Sequence, residues 1–239
     1  MPKRTHQSQS TPVVPVNLAA TADGTARFAE RWASRYVADF FRRTQLGFAA
    51  SSVAIGTYLG ESDDATDEMY AEALRTALSS GVNVVDTAIN YRCQRSERVI
   101  GRVLQDLMAD GIIRRDEMLL CTKAGYIPLD GNPPASRDDY ESYIRREYVD
   151  AGIIDARELV AGGHCIAPQF LLDQMRRSMR NLGVQRIDCF YVHNPEQQLA
   201  AISATELIAR LRRAFEALEG CVQRGEITTY GCATWSGLR

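Results

Sequence analysis

Apolar strands alternate with amphipathic helices along the chain from residue 51 onwards. The predicted strands read "SSVAIGTYL", "VNVVDTA", "DEMLLCTKAG", "RIDCFYVHNP" and "ITTYGCATW", and each but the last is followed by a stretch with apolar residues three and four apart. This alternation is typical of a parallel sheet with helices packed outside it. No G-x-G-x-x-G follows the first strand, which counts against a Rossmann fold. We therefore predict an α/β fold of the (β/α)8 TIM-barrel type, incomplete here with about five βα units.

The N-terminal part of the chain breaks this alternation. Residues 1–25 contain Pro12 and Pro15 and no continuous apolar run, so we predict a disordered or extended leader, with a transit peptide as the weaker alternative. Residues 26–50 are predicted to be a helical extension, because "ARFAERWASRYVADFFRR" places aromatic residues four apart on one helical face: Phe28, Trp32, Tyr36 and Phe40. This face would dock on the core, although a membrane-surface helix has the same pattern. Residues 51–239 would form the partial barrel domain.

One connection is much longer than the others. Residues 124–168 separate the third predicted strand from its helix, and they contain Gly, Pro and Asp turns with a short helical pattern near "DDYESYIRREYVDAG". Loops of this length are uncommon unless they are functional or disordered. This one leaves the carboxyl end of a strand, where barrel enzymes carry out their chemistry. We predict a lid or a pocket wall, with a plain surface insertion as the alternative.

Composition and charge narrow the class of protein. The chain has 239 residues, a formal net charge of -2 and no apolar run long enough to span a membrane, so neither nucleic acid nor a membrane is an expected partner. Its six cysteines include no C-x-x-C pair, which is typical of reduced thiols in the cytoplasm. His164 and Cys165 are adjacent candidate metal ligands without further partners, so no metal site is expected.

Polar side chains stand at the ends of three of the predicted strands. Asp86 ends the second strand and Tyr91 follows in its loop, while Lys123 and His193 end the third and fourth strands. Each has an ordinary structural explanation: Asp86 as a cap, Lys123 as a surface lysine and His193 as a core histidine. Because the carboxyl ends of parallel strands meet at one rim, however, we expect all four side chains to lie together.

These groups suit proton transfer to a carbonyl oxygen. A free tyrosine has a pKa of about 10, too high for an efficient acid at neutral pH. We expect the ammonium of Lys123, paired with Asp86, to lower the pKa of Tyr91, and neutral His193 to orient the substrate oxygen. A nicotinamide would have to supply the hydride, since no side chain can.

Three stretches resemble the aldo-keto reductases, which are NADPH-dependent barrel oxidoreductases. "GVNVVDTAINY" is similar to the family's G-x-x-x-x-D-T-A-x-x-Y, "SERVIGRVL" to its E-x-x-x-G helix, and "SMRNLGVQRIDCFYVHNP" to its S-L-x-x-L-G-x-x-x-I-D-x-x-x-x-H-x-P block. The resemblance implies NADPH as cofactor (NADH is not excluded) and a small carbonyl or alcohol substrate. It assigns the catalytic tetrad to Asp86, Tyr91, Lys123 and His193. It assigns the nicotinamide contacts to Gly56, Thr57, Tyr58, Asp86 and Thr234.

The sequence departs from the family in two places. "GCATWSG" puts Ala233 and Thr234 where the family has Ser and Asn on the nicotinamide amide, so only Thr234 would keep a hydrogen bond. The chain also stops at Arg239, before the family's later strands, and five strands alone would leave an uncovered sheet face. We therefore expect a fragment of a longer protein, or else a chain whose barrel is completed by a partner or by self-association, or a degenerate copy. A non-catalytic regulatory or binding subunit is the functional alternative.

Overall fold

The computed structural model of the protein describes residues 19–237 and contains six α-helices and two β-sheets. The helices are α1 (Ala22–Trp32), α2 (Asp64–Leu78), α3 (Arg95–Ala109), α4 (Arg137–Ile144), α5 (Pro168–Leu182) and α6 (Ala204–Gln223). The strands are β1 (Phe41–Arg43), β2 (Ala49–Ser51), β3 (Ile55–Gly56), β4 (Val84–Asp86), β5 (Leu119–Ala124), β6 (Ile187–His193) and β7 (Ile227–Ala233).

The larger sheet is a parallel, incomplete barrel wall. Its strands lie in the order β3-β4-β5-β6-β7, which is also their order along the chain. On the helical layer α3 contacts both α2 and α5, and α5 contacts α6. The prediction of five parallel strands alternating with helices, as an incomplete TIM barrel, is confirmed.

The two faces of this sheet differ in burial. Side chains that point outward to the helices, such as Val85, Leu120 and Phe190, are fully buried. Inward-pointing side chains on the same strands are only half-buried: Val84, Asp86, Cys121, Cys189, Tyr191 and Thr229. Successive strand residues point to opposite faces, so this contrast separates a helix-covered face from an inner face that is open. The uncovered face expected from five strands is therefore present.

Two cysteines are direct neighbours on this inner face. Cys121 of β5 pairs in register with Cys189 of β6, so both side chains point the same way. The interaction of the two thiols lowers the pKa of Cys189 and raises that of Cys121. Asp86 pairs in register with Cys121 from the other side. The two thiols thus lie in the layer just beneath the polar rim.

The N-terminal extension is shorter in helix than the aromatic spacing predicts. Helix α1 covers Ala22–Trp32, and a second element follows it, the antiparallel hairpin of β1 and β2. The first four positions of α1 fall inside the predicted leader of residues 1–25, while residues 1–18 lie outside the described residues. The prediction of one helix through residue 40 is wrong, because Tyr36 stacks on Phe40 (ring centroids 4.0 Å apart) without any helix between them.

Two other boundaries differ from the sequence prediction. The first predicted strand, "SSVAIGTYL", splits: Ser51 belongs to the hairpin and only Ile55–Gly56 joins the parallel sheet. The long connection of residues 124–168 does contain the predicted short helix, α4, followed by one wider turn at Arg145–Val149. Its Tyr148 is fully buried in the main core, so the connection is a packed part of the domain.

Polar side chains fasten the N-terminal extension to the amino ends of the strands. Asp188 at the start of β6 accepts hydrogen bonds from the backbone of Ala20 (2.7 Å) and of Leu120 (2.8 Å). It also forms a fully buried ion pair with Arg115 (2.8 Å). Asn83, which precedes β4, bonds the hairpin backbone at Ser51 (2.8 Å). The extension therefore closes the end of the sheet that lies opposite the polar rim.

Candidate active site

Lys123 and Asp86 form an ion pair at the carboxyl ends of β4 and β5. Nζ of Lys123 donates to Oδ2 of Asp86 (2.8 Å) and to the backbone carbonyl of Thr87 (2.7 Å). The lysine is almost completely buried, whereas 42% of the Asp86 side chain remains exposed. The lysine ammonium is therefore fixed in place by a carboxylate that still faces the inner space.

Tyr91 lies over this pair, and its ring contacts the neighbouring polar groups. Nζ of Lys123 is 5.1 Å from the centre of the Tyr91 ring, and the His193 ring is 5.7 Å away. Burial, together with the negative charge of Asp86, raises the pKa of Tyr91 to about 12. The prediction of a lowered pKa for Tyr91 is therefore wrong, because burial and the Asp86 carboxylate outweigh any favourable effect of the Lys123 ammonium on the phenolate. The phenol remains protonated at neutral pH.

A strained turn directly after Tyr91 fixes its position. Arg92, Cys93 and Gln94 are three consecutive non-glycine residues with φ values of 48°, 54° and 68°. Left-handed backbone costs about 1–2 kcal/mol per residue, so other contacts must hold the turn. Arg92 supplies two of them, a hydrogen bond to the carbonyl of Glu61 (2.8 Å) and an ion pair with Asp67 (2.5 Å).

His193 is the last residue of β6 and is a neutral imidazole. Burial and the nearby Lys123 ammonium lower its pKa to about 4. Its Nδ1 atom is buried and has no hydrogen-bond partner among residues 19–237. No hydrogen bond at Nδ1 therefore fixes the orientation of the imidazole, although the rings of Tyr91 and Tyr126 pack against it.

A cavity of about 580 Å³ opens between these groups. Tyr91 and His193 of the predicted tetrad line it, and six further residues complete its wall: Tyr58, Asn90, Tyr126, Asn194, Gln197 and Trp235. Of these only Tyr58 was predicted from the sequence. Tyr126 comes from the long connection, which supports its prediction as a pocket wall. Its signal in the sequence is its place directly after the third predicted strand, at the start of the long connection.

The residues predicted to contact a nicotinamide are not all brought to this cavity. Tyr58 lines it, but the hydroxyl of Thr57 is buried and donates to Thr87 (2.8 Å). The backbone carbonyl of Thr57 accepts from Ser96 (2.8 Å), so this residue serves the helix–strand junction. Thr234 lies just beyond β7, and its Oγ1 accepts from the backbone of Gly237 (2.7 Å). Gly56 has open space around its Cα.

His164 and Cys165 are held by bonds within the protein. Both ring nitrogens of His164 have hydrogen-bond partners, and the backbone of Cys165 donates to the carbonyl of Gly125 (2.7 Å). Within residues 19–237, no three His, Cys, Asp or Glu side chains come together as a metal site would require. Over the same residues, no helix has the length and hydrophobicity needed to cross a membrane.

The partial barrel, with its polar cluster at the carboxyl ends of the strands, defines a βα-barrel protein that has a candidate active site on the rim where such barrels carry theirs. A comparison of the sequence with protein families makes this class specific. Residues 52–238 match the model of the aldo/keto reductase family, and the chain belongs to that family.

Individual relatives agree with the family and with the fold. D-threo-aldose 1-dehydrogenase from Pseudomonas sp is 30% identical over 194 residues, which cover 78% of this chain and 48% of that protein. The holo form of aldo-keto reductase AKR11C1 from Bacillus halodurans has a TM-score of 0.52 at 19% identity, covering 79% of this chain and 47% of its own. An aldo/keto reductase from Klebsiella pneumoniae in complex with NADP and acetate has a TM-score of 0.52 at 18% identity, covering 83% and 51%. The chain spans about half the length of these relatives.

Proposed function

We propose that this protein is an NADPH-dependent oxidoreductase that interconverts a small aldehyde or ketone and its alcohol, with Tyr91 as the general acid. The single observation that carries the proposal is the arrangement at the cavity: a protonated phenol and a neutral imidazole face one space, above a buried lysine paired with a carboxylate. A carbonyl oxygen in that space would meet one proton donor and one orienting group. Family membership and the name of the Pseudomonas relative support the same chemistry.

Each side chain has a defined task in this proposal. Tyr91 donates its hydroxyl proton to the carbonyl oxygen as the carbonyl carbon receives a hydride. The ammonium of Lys123 stabilises the phenolate that remains, since an opposite charge favours the ionised form. Asp86 keeps that ammonium in position through their 2.8 Å contact. The imidazole of His193 orients the same oxygen.

The residues at the cavity mouth fit the nicotinamide end of a dinucleotide. NADPH, when bound, supplies the hydride. Tyr58 and Trp235 present flat apolar rings that are 63% and 81% exposed, and exposed aromatic rings at a cavity mouth suit a planar ligand. Ala233 offers no side-chain hydrogen bond to the amide, so Thr234 and Asp86 are the residues we expect there. NADH remains an alternative, because we assign no residue to the 2′-phosphate.

The substitution Tyr91→Phe tests the proposal. Removal of the hydroxyl should lower carbonyl reduction by at least about 100-fold, the lower range for a lost general acid. NADPH affinity, followed by nicotinamide fluorescence, should stay unchanged, because the phenyl ring and its packing remain. The substrate panel should include aldoses and simple aromatic and aliphatic aldehydes.

Two controls make the result decisive. Tyr230→Phe removes an exposed hydroxyl that bonds Glu219 (2.9 Å) from a half-buried tyrosine outside the cavity wall, and it should leave turnover unchanged. A circular dichroism spectrum confirms that each variant is folded. Normal turnover by Tyr91→Phe would refute the assignment of Tyr91. A folded wild-type chain that fails to bind NADPH would instead favour an inactive fragment or a non-catalytic binding subunit.

A further inference from the structure

His164 is a fully buried histidine with a hydrogen bond on each ring nitrogen. One ring nitrogen, Nε2, lies 2.8 Å from the backbone carbonyl oxygen of His193. The other, Nδ1, lies 2.8 Å from the side-chain amide nitrogen of Gln198. Only 2% of the His164 residue is exposed, so water does not compete for either contact. The residue lies in the long connection, and the sequence pattern offers it only as a candidate metal ligand without further partners.

The contacts around Gln198 determine which nitrogen of His164 carries the proton. Nη1 of Arg210 donates to Oε1 of Gln198 (2.8 Å), which fixes the orientation of the amide. The amide nitrogen must therefore point to His164, and because an amide nitrogen only donates, Nδ1 of His164 must accept. The proton is then on Nε2, which donates to the carbonyl of His193. Burial lowers the pKa of His164, which keeps this neutral form.

This bond acts on His193, a cavity-lining residue whose ring nitrogen Nδ1 has no hydrogen-bond partner among the described residues. Nδ1 of His193 is buried without a hydrogen bond among the described residues, so no side-chain bond fixes the rotation of the ring. The position of the imidazole is therefore determined by the backbone of His193 together with the flanking rings of Tyr91 and Tyr126. The next residue, Asn194, has a left-handed φ of 44°, so β6 turns sharply at this point.

The surrounding residues show that the contact is tightly fitted. A Cβ atom on Gly125 would lie 2.6 Å from the carbonyl oxygen of His193 and 3.0 Å from Nε2 of His164. The absence of a side chain at position 125 is therefore what lets the two histidines meet. Tyr126 packs its ring edge-on against both, with centroids 4.9 Å from His164 and 5.1 Å from His193. The long connection thus reaches the end of β6 through two adjacent residues and one histidine.

We propose that His164 is a positioning residue for the reductase reaction: as the Nε2–H tautomer, fixed by Gln198 and Arg210, it holds the carbonyl of His193 and thereby the imidazole that orients the substrate. This proposal rests on the function proposed above for His193. His164 touches neither the substrate space nor the nicotinamide residues, so it affects orientation and not binding. The relay begins at Arg210 on α6 and ends at the rim, so two elements outside the barrel rim contribute to the geometry of the site.

The tautomer can be measured without any turnover. The chain has three histidines, and His6→Ala leaves only His164 and His193 for assignment by long-range ¹H–¹⁵N correlation. For His164 we expect the signals of a neutral ring protonated at Nε2. In the His164→Leu variant we expect the ring signals of His193 to differ from those in the protein with His164. Protonation of His164 at Nδ1, or an identical His193 pattern in the folded His164→Leu variant, would overturn the proposal. These outcomes are independent of whether the protein reduces carbonyls.

Kinetics on the full chain give the second readout. His164→Leu should lower kcat on the order of 10- to 100-fold, as displacements of reacting groups do, while NADPH affinity stays unchanged. His164→Gln places an amide donor near the position of Nε2 and should recover most of the loss. Cys165→Ala is the matched control, since this neighbour is equally buried and its backbone bonds Gly125, whereas the ring of His164 bonds His193. Equal kcat values for the Leu and Gln variants, or a loss in Cys165→Ala of the same size, would refute the positioning role.

Discussion

Glu97 carries a carboxyl group that is fully buried within α3. The hydroxyl of Thr122 donates to Oε1 (2.7 Å), and the amide of Asn181 donates to Oε2 (2.9 Å). Burial raises the pKa of Glu97, and the hydrogen bonds from Asn181 and Thr122 only partly oppose that rise. Because Thr122 precedes Lys123 in β5, Glu97 joins two helices to the strand that carries the candidate lysine.

The raised pKa of Glu97 predicts a pH-dependent stability. The folded state favours the protonated carboxyl, so its contribution to the free energy of unfolding is present below the ordinary glutamate pKa of about 4.3 and is lost as the pH rises toward the folded-state value. Glu97→Gln should remove this decline, because Oε1 can face Asn181 while the amide donates to the Thr122 oxygen. Urea unfolding of both proteins between pH 4 and pH 8 measures the difference. Parallel stability curves for the two proteins would contradict the prediction.

Single residues also mark the limit of what the sequence predicted. Asp86, Tyr91, Lys123 and His193 could be placed at one rim because strand ends and family motifs name them, and the structure brings them together. The raised pKa of Tyr91 could not be predicted from the sequence, since it depends on the burial of the phenol and on the charge of Asp86 beside it.

The elements of the fold differ in how well a pattern predicts them. The parallel strands and their helices follow from hydrophobic periodicity, because each buries one face against the next layer. The boundaries of helix α1 and of the hairpin that follows it do not follow from this periodicity, since they depend on contacts with residues far along the chain. Thr21 caps α1 by accepting from Gly24 (2.9 Å), and Gly24 itself lies against the backbone of Asp116, where a Cβ would meet the carbonyl oxygen at 2.1 Å.

The attachment of this extension to the sheet gives an element-scale prediction. Asp188→Ala removes the acceptor shared by Ala20, Leu120 and Arg115 and leaves a buried guanidinium without its carboxylate. Breaking such a pair costs about 3–5 kcal/mol in the free energy of unfolding. Chemical denaturation should show this loss.

A surface ion pair provides the control for Asp188. Glu141→Ala breaks the exposed contact with Arg137 (2.7 Å) and should change the free energy of unfolding by less than about 1 kcal/mol. If the two substitutions destabilise the protein equally, the buried pair does not anchor the extension.

The molecule as a whole is a barrel wall with one covered face. Helices bury the outward side chains of the sheet, while the inner row remains half-buried and β7 forms an edge of seven residues. Edge strands and apolar sheet faces that lack a cover promote association with other chains. The choice of substrate also depends on the whole molecule, because the described cavity is lined by residues from only part of the rim.

The open inner face predicts self-association of the 239-residue chain. Thr229→Lys introduces a charge on the inner row at the edge strand and should shift sedimentation toward the monomer. Glu216→Lys adds a positive charge on the exposed side of α6 and is the matched control. A wild-type chain that remains monomeric at tens of micromolar, or an equal effect of both variants, would contradict this prediction.

The two neighbouring thiols, Cys121 and Cys189, can also report whether the inner face of the sheet is exposed to solvent. The neighbouring Cys121 thiol lowers the pKa of Cys189, so Cys189 should react faster with alkylating reagents than Cys121 does. Both sulfurs lie where any covering element would have to pack. The rate at which iodoacetamide labels Cys189, followed by mass spectrometry, therefore measures whether the inner face is open to solvent or has been closed by another polypeptide.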